Sequence, residues 1–458
     1  MNLKYSNILL YSLSAFLVFE GLDAFSIQNI PIYWIGVSFL SVVYLICYFL
    51  GLRTFNLNLF SIRNWIIYGI FITLIQSFFN DLILPKYAST SYFQYISLRL
   101  LRLTLFLIVI YAINYILQKY DFEKILKFFL ISSIVISTLS IISYFSYIYG
   151  YSDFPRTRPG SGGWTQPIQR ACNILRNYGT FREPSFLAIW TVPFIPYFFY
   201  LGKKNKVWYA LSLIPIFSVV LSRSLTGIIA FVAAIIIVTV LLYLLHKKFE
   251  LNIISMLSIF LLVIFTSGIF SYQFPPDENT CNSNSLECVC TPEDRLDELK
   301  NSSSFSEGTF GRFREISSQG LDAFGNTAFL LEYIQNTGFS LFGEGYGYSN
   351  IAFSYAADEA GKQLVENQII YRNPGQVVSF NNLYANILMS TGLVGLLWFL
   401  YILIEILRKI VFKPTPLQPY LLISFITTLF VYSYQAEELA THLAIAISFG
   451  LNLKNYEK

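Results

Sequence analysis

The chain has 458 residues, of which 55% are hydrophobic and 13% are charged, with a formal net charge of +4. Soluble globular domains carry about 25% charged residues, so the composition excludes a water-soluble globular protein. We expect a membrane protein with no nucleic-acid partner.

Apolar runs long enough to cross a bilayer recur along the chain, each crossing needing about 20 such residues. They predict an all-α polytopic protein of about twelve transmembrane helices. The first run follows only Lys4 and has no small-residue cleavage site after it, so we expect a retained span rather than a signal peptide. The runs lie near 8–22, 30–51, 65–83, 98–118, 128–150, 184–201, 207–222, 226–245, 252–272, 382–407, 418–433 and 439–453.

Every second loop between these runs is basic, which marks the cytoplasmic side and places both termini there. This predicts nine helices in 1–272, with an extracytoplasmic loop at about 151–183. A large extracytoplasmic loop at 273–380 and three last helices in 381–458 follow. The inner loops are too short for a catalytic domain, so we expect any chemistry at the outer face.

Lysine and arginine are distributed differently across this topology. Thirteen of 16 lysines fall inside, whereas 12 of 15 arginines fall outside, against the positive-inside rule. Guanidinium groups bind phosphate and carboxylate through a planar fork, so we expect an anionic ligand outside; scattered surface arginines are the alternative. The outer arginines are Arg99, Arg102, Arg156, Arg158, Arg170, Arg176, Arg182, Arg223, Arg295, Arg312, Arg314 and Arg372.

Three of these arginines lie at predicted helix ends. Arg99 and Arg102 are spaced i, i+3 at the outer end of span four and share one helix face, although they could instead snorkel to headgroups. Arg223 lies in the short outer turn between spans seven and eight. Its neighbours Ser224 and Thr226 are candidates to cap the next helix.

The stretch RNYGTFREPSFLAIW combines charge with a helix start. Arg176, Arg182 and Glu183 precede Pro184, which suits the first turn of the sixth span. Glu183 would then lie at the positive end of the helix dipole. The alternative is a simple helix-start carboxylate paired with Arg182.

The large outer loop ends in the glycine-rich stretch SLFGEGYGYSN. Gly343, Gly345 and Gly347 allow tight backbone bends, and the pattern is not a dinucleotide-binding loop because no strand precedes it. In span ten, Gly392 and Gly395 are predicted to be close helix-packing points.

The outer loops also carry four cysteines and a stretch of helical spacing. The oxidising outer side makes one or two disulfides plausible, whereas the absence of a nearby histidine argues against zinc. Residues 311–339 have apolar spacing that predicts a helix or two. The cysteines are Cys172, Cys281, Cys288 and Cys290.

From about 97 to 405 the sequence resembles the superfamily of O-antigen polymerases and O-antigen ligases, which are bacterial envelope glycosyltransferases. The motifs that carry the resemblance are RNYGTFREPS, LSRSLTGIIAF, GRF, SLFGEGYG and NNLYANILMSTGLVGLLWF. Ligases of this family have a His-Asn pair where the large loop meets the next span. Here that stretch is Phe380-Asn381-Asn382, without histidine, which favours a polymerase of the Wzy type.

The resemblance implies a GT-C-like fold in the bacterial inner membrane and polymerisation of polyprenyl-pyrophosphate-linked oligosaccharide units into O-antigen or capsular polysaccharide. An acceptor hydroxyl attacks the anomeric carbon and the pyrophosphate leaves as an anion, so one base and a cationic clamp suffice. No D-x-D metal motif is evident, so arginine would take the place of a metal ion and no cofactor is expected. A chain-length regulator protein is an implied partner.

Roles for individual residues follow from this reading. Glu183 is the predicted base, with Arg176, Arg182 and Arg223 acting beside it, whereas Arg156 and Arg295 are expected to matter little. Alternatives are a ligase, a peptidoglycan-type polymerase, and a flippase or secondary transporter, although transporters place ionisable residues at span centres, which here are almost free of them. The predicted pyrophosphate- or glycan-binding residues are Arg99, Arg102, Arg312, Tyr346, Asn381 and Asn382.

Overall fold

Helices dominate the computed structural model of the chain. The only strands among the described residues are β1 (Ser26–Ile27) and β2 (Ile30–Pro31), which pair antiparallel. The structure describes residues 2–28, 30–50, 60–80, 92–148, 156–158, 176–246, 251–273, 334–335, 338–361, 377, 380, 382–433 and 441–452.

Each of the twelve predicted runs overlaps a helix in the described part of the chain. The sixth run is divided by a 3₁₀ turn at Val192–Phe194, where Pro193 lacks an amide hydrogen and cannot continue the α-helical bonding. The helices are α1 Asn2–Glu20, α2 Ile32–Phe49, α3 Phe60–Asn80, α4 Tyr92–Lys119, α5 Phe122–Ile148, α6 Pro184–Thr191, α7 Ile195–Gly202, α8 Val207–Ser222, α9 Leu225–His246, α10 Leu251–Gln273, α11 Tyr348–Gly361, α12 Leu383–Val411, α13 Gln418–Tyr432 and α14 Thr441–Leu451.

Several of these helices are built for a lipid environment. Large apolar side chains such as Phe71, Leu244 and Leu397 are more than half exposed, at 58%, 69% and 56%. The protein is therefore an all-α membrane protein, while the count of twelve crossings and the side of each terminus stay predictions. In the described part, the six segments long and apolar enough to cross are Ile32–Phe49, Phe93–Lys119, Phe122–Ser146, Pro184–Gly202, Leu225–Leu245 and Leu383–Val411.

The chain divides into two units, each assembled from segments distant in sequence. In the first, α5 packs against α1 and α8, and α8 also contacts α6, α7 and α10. In the second, α12 packs against α3, α11 and α14. The first unit is Met1–Val43, Lys119–Glu315 and Thr415–Thr427; the second is Tyr44–Gln118, Ile316–Pro414 and Thr428–Lys458.

Helix α12 begins and bends at residues whose chemistry explains both features. Asn382 caps it, because its side-chain oxygen accepts a hydrogen bond from the Ala385 amide at 3.0 Å. Gly392 was predicted to pack against another helix; it instead has φ 72° and ψ −176° and interrupts α12. Gly395 does approach α3 closely, since Trp65 Nε1 donates to its carbonyl at 2.8 Å.

Candidate functional site

In the first unit, the RNYGTF stretch binds the turn between α8 and α9. The Asn177 amide donates to the Leu221 carbonyl at 2.9 Å, and Arg176 Nε donates to the Ser222 carbonyl at 3.2 Å. Asn177 and Ser222 are fully buried. Two of the predicted clamp residues, Arg176 and Arg223, therefore belong to one packed cluster at the end of α8.

Arg223 has an unusual backbone for a charged residue. It ends α8 in the left-handed region, with φ 49° and ψ 31°, a conformation that non-glycine residues rarely adopt. Burial lowers the pKa of Arg223, but an arginine stays protonated in proteins. Ser224 directly precedes α9, and its carbonyl accepts a hydrogen bond from the Ile228 amide at 3.0 Å. Backbone strain at a partly buried charge is typical of functional sites.

Arg182 is held by an acid from the loop after α1. Its Nε lies 3.0 Å from one carboxylate oxygen of Asp23, and Arg158 forms an ion pair with the other. Arg158 also donates to the Asp23 backbone carbonyl at 3.1 Å. The alternative interpretation, a pair between Arg182 and Glu183, is therefore replaced by a pair with Asp23.

Removing Asp23 should loosen this arrangement measurably. Asp23→Ala leaves two half-buried arginines without their shared carboxylate, and we expect a loss of about 1.5–3 kcal/mol in unfolding free energy. Asp23→Asn keeps an oxygen acceptor and should lose less. Thermal unfolding of the detergent-purified protein would measure both; an unchanged midpoint for Asp23→Ala would contradict the pairing.

Glu183 lies where Pro184 predicted it, at the N-cap of α6. Its side chain makes no capping hydrogen bond, and Ser185 Oγ donates to its Oε2 at 3.3 Å. A carboxylate at this end of a helix is favoured by the helix dipole. Its role as a base stays a prediction.

Arg156 was expected to matter little, but it contacts the same stretch. Its Nη2 donates to the Gly179 carbonyl at 2.7 Å, and its guanidinium lies 4.6 Å from the centre of the Tyr178 ring. Arg156 therefore helps to hold the RNYGTF stretch in place. No sequence pattern marked this contact.

In the second unit, the SLFGEG stretch fills the break in α12. The interrupted helix cannot bond its own amides to the carbonyls one turn earlier, and the loop supplies the missing partners. Four backbone hydrogen bonds result. They join Glu344 N–H to Met389 O and Gly345 N–H to Ser390 O, each at 2.8 Å, Leu393 N–H to Ser340 O at 3.1 Å, and Val394 N–H to Leu341 O at 3.2 Å.

The backbone of the loop and the backbone of α12 approach so closely here that no side chain fits between them. A Cβ atom on Gly343 would collide with the backbone of Ser390 and Gly392, and one on Gly392 would collide with the backbone of Leu341. Gly343 has φ 77°, so the predicted tight bend is present. The glycine-rich stretch is thus a docking element for α12.

Tyr346, a predicted glycan-binding residue, is 6% exposed. Its amide donates to Thr73 Oγ1 at 2.9 Å, and its ring packs against Gly69. Its hydroxyl is buried without a hydrogen-bond partner among the described residues, and burial raises the pKa of Tyr346. Tyr346 therefore lies within the packed contact between the loop and α3.

Glu344 was missed by the sequence reasoning. It is partly exposed, yet its Oε2 is buried and has no hydrogen-bond partner in the described part of the chain. Burial raises the pKa of Glu344 to about 7. The sequence feature that could have identified Glu344 is its position between two glycines, in a stretch that resembles a family motif.

The remaining predicted binding residues are placed as follows. Arg99 lies on α4, where its Nη2 donates to the Tyr95 hydroxyl at 2.5 Å and its guanidinium lies 5.0 Å from that ring centre. Arg102, half-buried, follows on the same helix. Asn382, besides capping α12, donates through Nδ2 to the Ser433 carbonyl at 2.7 Å. Arg312, Asn381, Cys172, Cys281, Cys288, Cys290 and the predicted helical stretch 311–333 lie outside the described residues.

Among the residues that the structure describes, no group of three or more His, Cys, Asp or Glu side chains is arranged to hold a metal ion. Motifs that are separate in the sequence pair up in space: RNYGTF with LSRS in the first unit, and SLFGEG with the STGLV segment of α12 in the second. No protein-family model and no curated protein matches the chain.

Proposed function

We propose that the protein is a glycosyltransferase that polymerises polyprenyl-pyrophosphate-linked oligosaccharide units at the outer face of a bacterial inner membrane. The observation that supports this most is the packing of Arg176 against the turn that carries Arg223. It brings two guanidinium groups together at the end of α8, in the same stretch of chain as the ion-paired Arg182.

The chemistry of such a reaction fits these groups. The glycosidic carbon–oxygen bond to pyrophosphate breaks while the acceptor oxygen bonds to the anomeric carbon, and negative charge grows on the leaving group. Guanidinium groups that bind this growing charge stabilise the transition state more than the bound substrate. A pyrophosphate needs no proton to leave, so the paired carboxylates of glycosidases are unnecessary.

Further parts of the proposal concern location and partners. We place both termini in the cytoplasm and the RNYGTF and SLFGEG stretches outside, as the alternation of basic loops predicts. The substrate reaches the site within the membrane as a lipid-linked donor. A chain-length regulator protein belongs to the same proposal, as does the GT-C-like arrangement of the helices.

A strain lacking the gene tests the function directly. We expect its surface glycan to stop at a single repeat unit, because polymerisation fails while export of lipid-linked units and their ligation continue. Analysis of extracted glycan by gel and mass spectrometry measures the chain length. Loss of all repeats with units trapped on the inner leaflet would indicate a flippase, and full-length polymer held on the lipid carrier would indicate a ligase.

A further inference from the structure

Glu344 lies on a piece of backbone that is hydrogen-bonded to two helices. Its own amide donates to Met389, and the Gly345 amide donates to Ser390. On the preceding residue, the Gly343 carbonyl accepts a hydrogen bond from Gln76 Nε2 at 3.0 Å. The direction in which the Glu344 side chain leaves the loop is therefore fixed by α3 and α12 together.

The side chain held there lacks a partner. Oε2 of Glu344 is buried without a hydrogen bond among the described residues, although the residue as a whole is partly exposed. Two positions along, the hydroxyl of Tyr346 is likewise buried and unpaired in that part of the chain. Buried polar groups are nearly always hydrogen-bonded in folded proteins, so the unpaired carboxylate oxygen of Glu344 points to a ligand that completes it.

Among the described residues, the groups that contact the loop around Glu344 are mostly neutral. The groups that α3 and α12 bring to the loop are neutral, namely Thr73, Gln76 and Ser390. Helix α4 also contacts the loop, since a Cβ atom on Gly347 would lie 3.2 Å from the Tyr95 ring. The Tyr95 hydroxyl accepts a hydrogen bond from the Arg99 guanidinium, also on α4. The other titratable groups of the loop are Tyr346 and Tyr348, the latter bonded to Ser77 Oγ.

These contacts favour a ligand with neutral hydroxyl groups beside a negatively charged group. A hydroxyl can donate to the unpaired carboxylate oxygen, whereas an anion would be repelled by the carboxylate. Arg99, which bonds the Tyr95 hydroxyl, supplies positive charge on the neighbouring helix α4. Sugars linked to pyrophosphate have this combination of groups.

We propose that Glu344, rather than Glu183, is the base that binds the acceptor-sugar hydroxyl and removes its proton. The inference rests on the proposed function. In the step, the acceptor oxygen bonds to the anomeric carbon, and the bond from that carbon to the pyrophosphate oxygen breaks. The bonding electron pair leaves with the pyrophosphate, and the acceptor proton passes to Oε2 of Glu344, giving a neutral carboxylic acid.

The acidity of the group agrees with this role. A base acts best when its pKa lies near the working pH, and burial raises the pKa of Glu344 to about 7. Glu344 is then ionised above pH 7 and protonated below it. The rate should therefore rise with pH through about 7.

The test uses purified full-length protein in vesicles and lipid-linked repeat units extracted from the deletion strain. We expect Glu344→Gln to lower the rate about 100–10,000-fold with little change in KM for the donor, and to remove the rise near pH 7. Glu405→Gln on α12, which pairs with Arg408, is the matched control and should keep both the rate and the pH profile.

A second measurement does not depend on turnover. Because the pKa of Glu344 is raised in the folded state, the wild type should lose stability relative to Glu344→Gln as pH rises from about 4.5 through 7. A midpoint difference that does not change with pH would contradict the buried, unpaired carboxylate.

The outcomes separate the two proposals. Normal turnover and an unchanged pH profile in Glu344→Gln would overturn the inference and leave the proposed function intact. A loss confined to Glu183→Gln would assign the base to Glu183 and overturn it as well. Failure of the wild type to extend the lipid-linked units would overturn the proposed function, and the inference with it.

Discussion

Arg223→Gly should lower polymer formation by about 100–1000-fold, the usual effect of removing one group that stabilises charge in a transition state. Glycine is the informative replacement because Arg223 is left-handed, with φ 49°. Removing its side chain also removes backbone strain of about 1–2 kcal/mol, so the variant should fold at least as well as the wild type. Polymer length and amount on gels, divided by membrane abundance, give the result.

Two companion variants identify what is lost. Arg223→Lys keeps the charge without the two-pronged fork, and we expect only partial activity. Arg176→Ala should be impaired to a similar degree as Arg223→Gly, since the two residues share one cluster. Arg408→Ala is the matched control, being 68% exposed and paired with Glu405, and should make normal polymer.

Near-normal polymer from both Arg223→Gly and Arg176→Ala would remove the arginine cluster from the mechanism. A fall in membrane abundance that parallels the fall in polymer would instead assign these residues a role in folding.

Gly392→Ala should cause the largest loss of stability. Its φ of 72° and ψ of −176° lie in a region that essentially only glycine occupies, a strain of about 1–3 kcal/mol for alanine. The added methyl group would also strike the backbone of Leu341, which adds about 1–3 kcal/mol of overpacking and separates the loop from α12. Thermal unfolding in detergent measures the sum.

Gly338→Ala separates these two contributions. Gly338 has the same φ of 72°, but a Cβ atom there meets nothing within 4 Å. We expect it to show the backbone strain alone, and therefore a smaller loss than Gly392→Ala. Equal losses in the two variants would show that the contact between the loop and α12 contributes nothing to stability.

The helices were predictable from sequence because a run of apolar residues is a local property, and a helix that crosses the hydrocarbon core of a bilayer requires one. Helix α11 was not predicted, because its sequence YSNIAFSYAADEAG mixes aromatic, small and charged residues and contains no long apolar run. Pro184 correctly indicated a helix start, since the fixed φ of proline acts within a single turn.

Contacts between distant segments were the part that sequence could not predict. Asp23 lies 159 residues before Arg182, and nothing in the loop that holds it marks Arg182 and Arg158 as its partners. Glu344 was missed for a different reason. A glutamate is common in loops, and only the docking of this loop onto α12 buries one of its carboxylate oxygens.

The break at Gly392 also makes α12 depend on a segment that precedes it in the chain. The amides of Leu393 and Val394 are satisfied by Ser340 and Leu341, which are synthesised earlier than α12. Unpaired amides cost several kcal/mol each in hydrocarbon, so α12 is stable there only with this loop segment beside it. Lengthening or shortening the chain between residues 340 and 345 should therefore be tolerated poorly.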